Sequence, residues 1–158
     1  MKCATAYLRK GEVFLNSSSK TSVGAWVCTS PYLIVDSHDV EQLGRAVIEV
    51  INGSLDGIPH PTEFTSLTKP ILEMAGVKSW GAFVKGAHCC EISESNDVIT
   101  ITPTINQGKN GFDHINDKSL NINLSTVKKI GDVTWLSQWR LTFVMLSRVI
   151  QAQMVKVY

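Results

Sequence analysis

The chain has 158 residues, with 15 Lys+Arg against 14 Asp+Glu and a formal net charge of +1. That length suits one domain, which at this size hides about 68–70% of its unfolded surface and holds together without covalent staples. Near-neutral charge excludes a protein that grips nucleic acid by bulk electrostatics, and a 44% hydrophobic content excludes a disordered chain.

The first third alternates. Residues 3–9 and 12–16 read as short strands with Gly11 as a hairpin turn between them, and "SSSKTS" reads as a polar loop. Residues 23–29 read as a third strand, Pro31 as a break, and residues 32–35 as a fourth. The strongest helix follows. Ser37 is the expected N-cap, Asp39 and Glu41 suit the first turn, and Val40, Leu43, Val47, Val50 and Ile51 share one face. Asn52-Gly53 ends it. "DGIPHPTEF" reads as a loop, and residues 66–75 and 79–85 as two short helices with Gly76 between them and Ser79 as the second N-cap. Strands return at 88–94 and 98–103, joined across "SESND". "TINQGKNG" reads as a loop, 112–115 as a further strand and 120–124 as the last. Ser125 then caps a final helix in which Trp135, Trp139, Phe143, Leu146, Ile150 and Met154 recur every three or four residues.

This order repeats itself. "VDSHDVEQLGRAV" overlays "INLSTVKKIGDVT" at a shift of 87 residues, matching Val40 with Val127, Leu43 with Ile130 and Gly44 with Gly131. The expected fold is α+β: two tandem antiparallel strand–helix halves, about 1–54 and 88–158, with a helical insert at about 60–86, packed as one domain over 1–158.

Cys3, Cys28, Cys89 and Cys90 have no framework spacing and read as free thiols of a reducing cytosol. The apolar stretch at residues 3–8 is too short for a secretory signal, and no stretch reaches 18 apolar residues, so a cytoplasmic protein with no membrane span is expected.

Sites of chemistry are few. There is no phosphate loop, dinucleotide fingerprint or nucleophile elbow. In "HCC", a strand would point His88 and Cys90 one way and Cys89 the other, and no second ligand pair exists, so a half-buried strand outweighs a metal site. His114, near Asp113 and Asp117, fits a solvated loop histidine better than an acid–base pair. Trp80 and Phe83 with Lys78 and Lys85 fit core anchoring better than base stacking. The Trp135–Trp139–Phe143 stripe reads as core, with a partner-binding face as the other reading. Charge is segmental: residues 32–63 carry six acids and one base, 91–117 five acids and one base, and 118–158 six bases and one acid. Ordinary surface variation and an acidic face for a basic partner explain this equally well.

The middle of the chain resembles a known family. "IPHPTEFTSLTKPILEMAGVKSWGAFVKGAHCCEIS", followed by "ITITPTINQGKNGF" and preceded by "VEQLGRAVIEVI", is similar to the immunity proteins of bacterial contact-dependent growth inhibition (CDI) systems. The resemblance spans about residues 32–125, and the basic, Trp-rich end departs from it. It implies a cytoplasmic inhibitor with a fold similar to Whirly domains. Its partner is the cognate C-terminal toxin domain of a CDI system, a nuclease of the EndoU-like RNase type. It implies no catalytic residues, no cofactor and no metal. The expected toxin contacts are Asp36, Asp39, Glu41, Glu91, Glu94, Asp97, Asp113 and Asp117 as charges, with Phe112 and Trp80 as anchors. A homodimer, or a last helix swapped between chains, is left open. The alternative function is a single-stranded nucleic-acid-binding module; a small hydrolase built on His114 is the weakest, having no nucleophile at a useful spacing.

Overall fold

In the computed structural model, residues 1–123 are described. The alternating N-terminal segment forms β1 (Lys2–Arg9), and the next run forms β2 (Glu12–Thr21). Between them Lys10 and Gly11 take φ of 52° and 83°, the left-handed pair that a two-residue hairpin turn requires. β2 is twice the length expected, because "SSSKT" continues it in place of a loop. Hydroxyls find fixed partners there. Ser17 Oγ donates to Val50 O at 2.6 Å, and Ser19 Oγ and Thr29 Oγ1 lie 2.7 Å apart. Ser54 Oγ donates to Ser18 O at 2.6 Å and accepts from Cys3 N at 3.0 Å. The small side chains also admit the end of the helix: a Cβ on Gly53 would run into Pro31 Cδ and Ser17 Oγ, so only glycine fits.

The two strands expected around Pro31 are one, β3 (Trp26–Asp36), whose Ser30–Pro31 peptide is cis. β3 is the terminal strand of the sheet, where a missing N–H interrupts no ladder, and its register against β2 shifts between Asn16 and Ser17. Helix α1 (Val40–Asn52) follows. Its N-cap is Asp39, not Ser37: Asp39 Oδ1 accepts from Gln42 N at 3.0 Å, while Ser37 is buried two residues earlier. The "DGIPHPTEF" loop contains a short strand, β4 (Asp56–Ile58), parallel to the end of β2. The insert is shorter than expected. A 3₁₀ turn (Thr65–Leu67) precedes α2 (Lys69–Met74), and Ser79 caps α3 (Trp80–Val84) as expected, accepting from Ala82 N at 3.3 Å.

β5 (His88–Ser95) and β6 (Val98–Asn106) make the next hairpin, with Asn96 and Asp97 both at positive φ. β7 (Phe112–His114) and β8 (Leu120–Asn123) both pair with β6. The result is one eight-stranded, mainly antiparallel sheet in the order β3-β2-β1-β5-β6-β7, with β4 on β2 and β8 on β6. The expected final helix, with its tryptophan stripe, falls outside the described residues.

Alternation divides the sheet into two faces with separate cores. On one face Ala4, Ala6, Val13, Leu15, Cys90, Ile92, Ile99 and Ile101 pack under α1 through Leu43, Val47, Val50 and Ile51. On the other, Tyr7, Phe14 and Cys89 pack under α2 and α3 through Ile71, Phe83 and Val84. Cys89 and Cys90 therefore enter opposite cores, as the period of a strand dictates.

Candidate functional site

The α2–α3 face is apolar only under the helices. Beside them, β5, β6 and β7 bring distant polar residues together. Register places Thr5 opposite Glu91, Glu91 opposite Thr102, and Thr104 opposite His114. His114 Nε2 thus lies 3.1 Å from Glu91 Oε2 across the sheet, each side chain a little under half exposed. Such a pair is weak in isolation, but it fixes the direction of both groups.

Next to this pair is an open cavity of about 240 Å³. Tyr7, Trp80 and Phe112 form its apolar wall, Thr5, Glu91, Thr104 and His114 its polar wall, and Cys89 and Gly111 complete the lining. The aromatic wall is held by its own contacts. Tyr7 meets Trp80 edge-on at 5.9 Å and Phe112 at 5.6 Å, and Phe83 lies behind at 5.4 Å from both Tyr7 and Trp80. Asn106 sets the loop that delivers Phe112. Its Nδ2 donates to Val84 O and Ala87 O, both at 2.7 Å, and its Oδ1 accepts from Gly108 N at 2.8 Å. Arg9 Nε donates to Phe83 O at 3.0 Å, which ties β1 to the end of α3.

Of the expected toxin contacts, Trp80, Glu91 and Phe112 converge on this cavity, together with His114 and Cys89. Asp113 sits between Phe112 and His114 on β7, directed to the other face by alternation, and accepts from Gln107 Nε2 at 3.0 Å. Asp117 is exposed in the 3₁₀ turn Asn116–Lys118 that follows. Glu94 lies on β5 between Lys2 and Ile99, and Asp97 in the β5–β6 turn. Asp36, Asp39 and Glu41 form a separate group where β3 meets α1 and have local partners: Asp36 Oδ1 accepts from His38 N at 2.8 Å, Asp39 caps α1, and Glu41 pairs with Arg45 at 2.6 Å. β3 stands three strand spacings from β5, about 14 Å. The acids therefore form separate groups and no single continuous face. Sequence reasoning missed Thr5, Tyr7 and Thr104, whose only signal is a register between strands far apart in the chain. The Trp80–Phe83 cluster is core: Phe83 is fully buried and Trp80 packs on it, while Lys78 and Lys85 point to solvent.

The four cysteines are free. Burial, with the Glu91 charge adding to it, pushes the Cys90 thiol up to about 12 and Cys3 up to about 11. Burial also raises Cys89 well above the usual thiol range, the neighbouring Cys90 adds, and the hydrogen bond with Thr104 partly offsets it. The fold thus favours the neutral thiols, whereas in the unfolded chain they ionise near 9.0. Stability from this source is complete below that pH and is lost as pH rises toward 12. Urea midpoints are expected to hold between pH 7 and 8 and to fall above 9. For Cys90 alone the slope reaches about 1.4 kcal/mol per pH unit. Cys90→Ala should flatten that fall; an identical slope in the variant would remove this thiol from the account.

Among the described residues, no group of three or more His, Cys, Asp and Glu side chains could hold a metal ion, and no helix is long and apolar enough to cross a membrane. Comparison with known proteins bears out the family resemblance: residues 59–134 match the model of CdiI, the CDI immunity protein. No curated protein matches the sequence. Among solved structures, the chain is similar to a chain of the CdiA-CT/CdiI toxin and immunity complex from Yersinia pseudotuberculosis. Identity there is 12%, the TM-score is 0.68, and 96% of each chain is covered. It is also similar to a protein of unknown function from Neisseria meningitidis, at 15% identity and a TM-score of 0.67, with 92% of each chain covered. At these identities the likeness is one of fold.

Proposed function

We propose that this chain, which carries the CDI immunity signature over residues 59–134, binds the cognate toxin domain of a CDI system and blocks its active site. That match is the observation that carries the reading; the similarity in fold to a chain of a toxin and immunity complex agrees with it. The resemblance read in the sequence makes the toxin a nuclease, of the EndoU-like ribonuclease type, met in the cytoplasm. Inhibition then needs occlusion and no chemistry on this chain. A standard interface of about 1,600 Å² supplies the affinity. A nuclease cleft is cationic because it holds phosphates, so acidic side chains would steer the encounter. Glu91, beside the Trp80–Phe112 wall, is the member of the acidic pool best placed for this, with Asp113 on the opposite face of β7 and Asp117 in the turn that follows. Glu94 and Asp97 extend it along the β5–β6 hairpin, and Asp36, Asp39 and Glu41 would form a second patch. The Whirly-like reading belongs to the same proposal. It is supported by the sheet's division into two meanders, β1–β3 and β5–β7, joined at β1 and β5, with β8 beside β6.

The test is co-expression in a bacterial host with the toxin domain encoded next to this gene. Growth at the level of an empty vector is expected, with loss of growth when this chain is omitted. Continued killing in the presence of the soluble, folded chain would overturn the reading. The nucleic acid degraded by the unprotected toxin, RNA or DNA, tests the ribonuclease assignment separately.

A further inference from the structure

The immunity reading leaves open what enters the cavity beside β5. We infer that the cavity is an anchor pocket for a cationic side chain, Lys or Arg, of the toxin domain. This deepens the immunity reading and rests on it. Two independent features of the cavity agree on the occupant. The first is its wall: Tyr7, Trp80 and Phe112 stand within 6.3 Å of one another, centroid to centroid, and all three line one opening. Aromatic rings attract ammonium and guanidinium groups, and more strongly when those groups are desolvated. The second is the carboxylate at its mouth. His114 engages Oε2 of Glu91, and among the described residues no donor is recorded at Oε1. A half-exposed carboxylate, held in direction by a histidine and set beside an aromatic wall, suits a long side chain with an apolar stem and a charged head. The Thr5 and Thr104 hydroxyls are already bonded, to Ser18 Oγ at 3.2 Å and Cys89 O at 2.7 Å, so the group an apolar side chain would cover without a donor is the Glu91 carboxylate. An acidic one would meet Glu91 directly. The volume of about 240 Å³ admits one such side chain and no folded element. Occupation from the toxin side also fits the location of the cavity, within the family-matched stretch for Trp80, Glu91, Thr104, Phe112 and His114 alike.

The test is calorimetric titration of the wild-type chain and of Glu91→Gln with the purified, catalytically inactivated toxin domain encoded next to this gene. The amide is isosteric and keeps an acceptor for His114, so thermal stability is expected to be unchanged. Affinity is expected to fall 10-fold or more, and the slope of log Kd against log salt to become shallower, because one charge pair is lost. Glu49→Gln, on the exposed face of α1, serves as the charge-matched control and is expected to bind as the wild type does. A Glu91→Gln affinity within twofold of wild type, with an unchanged salt slope, would overturn the pocket while leaving the immunity reading intact. Failure of the wild-type chain to bind would instead overturn the immunity reading. If Glu91→Gln loses stability, Glu91→Asp gives the second test. It keeps the charge and withdraws it by one methylene, and the pocket requires affinity intermediate between wild type and a Glu91→Ala variant.

Discussion

Phe83→Ala is expected to lower stability by about 3–5 kcal/mol, the range for removing a fully buried aromatic ring. Phe83 has no exposed surface and stands at the centre of the second core, with ring centroids 5.4 Å from Tyr7, 5.5 Å from Phe14 and 5.4 Å from Trp80. The helix that carries it has five residues, too few to be stable alone, so α3 stays in place through this side chain and its end contacts. Little backbone can collapse into the void, because Tyr7 and Phe14 belong to β1 and β2 in the middle of the sheet. In thermal unfolding the loss corresponds to roughly 6–20 °C for a chain of this length. Phe64→Ala supplies the contrast: Phe64 is 53% exposed and touches the His60 ring, so its loss is expected to stay below about 1 kcal/mol. Equal effects at the two positions would show that the second core does not hold the fold. The substitution also reaches the cavity, since Phe83 lies behind Trp80 and Tyr7. A Phe83→Leu variant, with most of the volume kept, should bind the toxin better than Phe83→Ala.

How much of this was legible in the sequence depends on the separation of the partners. The alternation in residues 3–9, the helical face from Val40 to Ile51 and the opposite directions of Cys89 and Cys90 all follow from local periods, and the structure has them. The extension of β2 did not follow, because Ser17, Ser18 and Ser19 look like a loop until their partners are known. Ser17 and Ser18 bond to Val50 and Ser54, 33 and 36 residues away, and Ser19 to Thr29 on the neighbouring strand. The N-cap was misplaced by two residues because Ser37 and Asp39 are equally good capping types, and only the backbone geometry chooses Asp39. The candidate site shows the same limit. Chain proximity suggests Asp113 and Asp117 as partners for His114, but strand alternation turns Asp113 to the other face. The register of three strands supplies Glu91 instead, 23 residues away. The acidic segments were visible as composition, but composition does not say that Asp36, Asp39 and Glu41 are occupied in capping and pairing at the far edge of the sheet.

Asn106→Leu is expected to lower stability by about 1–3 kcal/mol although it keeps the side-chain volume. The amide satisfies three backbone groups at once: the carbonyls of Val84 and Ala87 and the N–H of Gly108. Ala87 is buried, so its carbonyl has little access to water when the donor is removed, and one such unmet group costs about 1–3 kcal/mol; the Val84 carbonyl keeps its bond from Ala87 N at 3.0 Å. The bonds join the end of α3, the residue before β5 and the loop after β6, beyond the β5–β6 ladder, which ends at Cys90 and Pro103. Asn106→Asp separates hydrogen bonding from volume. It keeps the acceptor for Gly108 but sets a carboxylate against two carbonyl oxygens, so at neutral pH it should be at least as damaging as leucine. Its carboxyl ionises less readily in the fold than in the unfolded chain. The variant should therefore recover stability as pH falls through the carboxylate range, whereas Asn106→Leu should show no such gain relative to wild type. Urea midpoints at pH 7 and pH 4.5 for both variants measure this directly. A Gly108 amide that exchanges with solvent no faster in Asn106→Leu than in wild type would show that the loop holds its shape by other means, and that Phe112 reaches the cavity wall without Asn106.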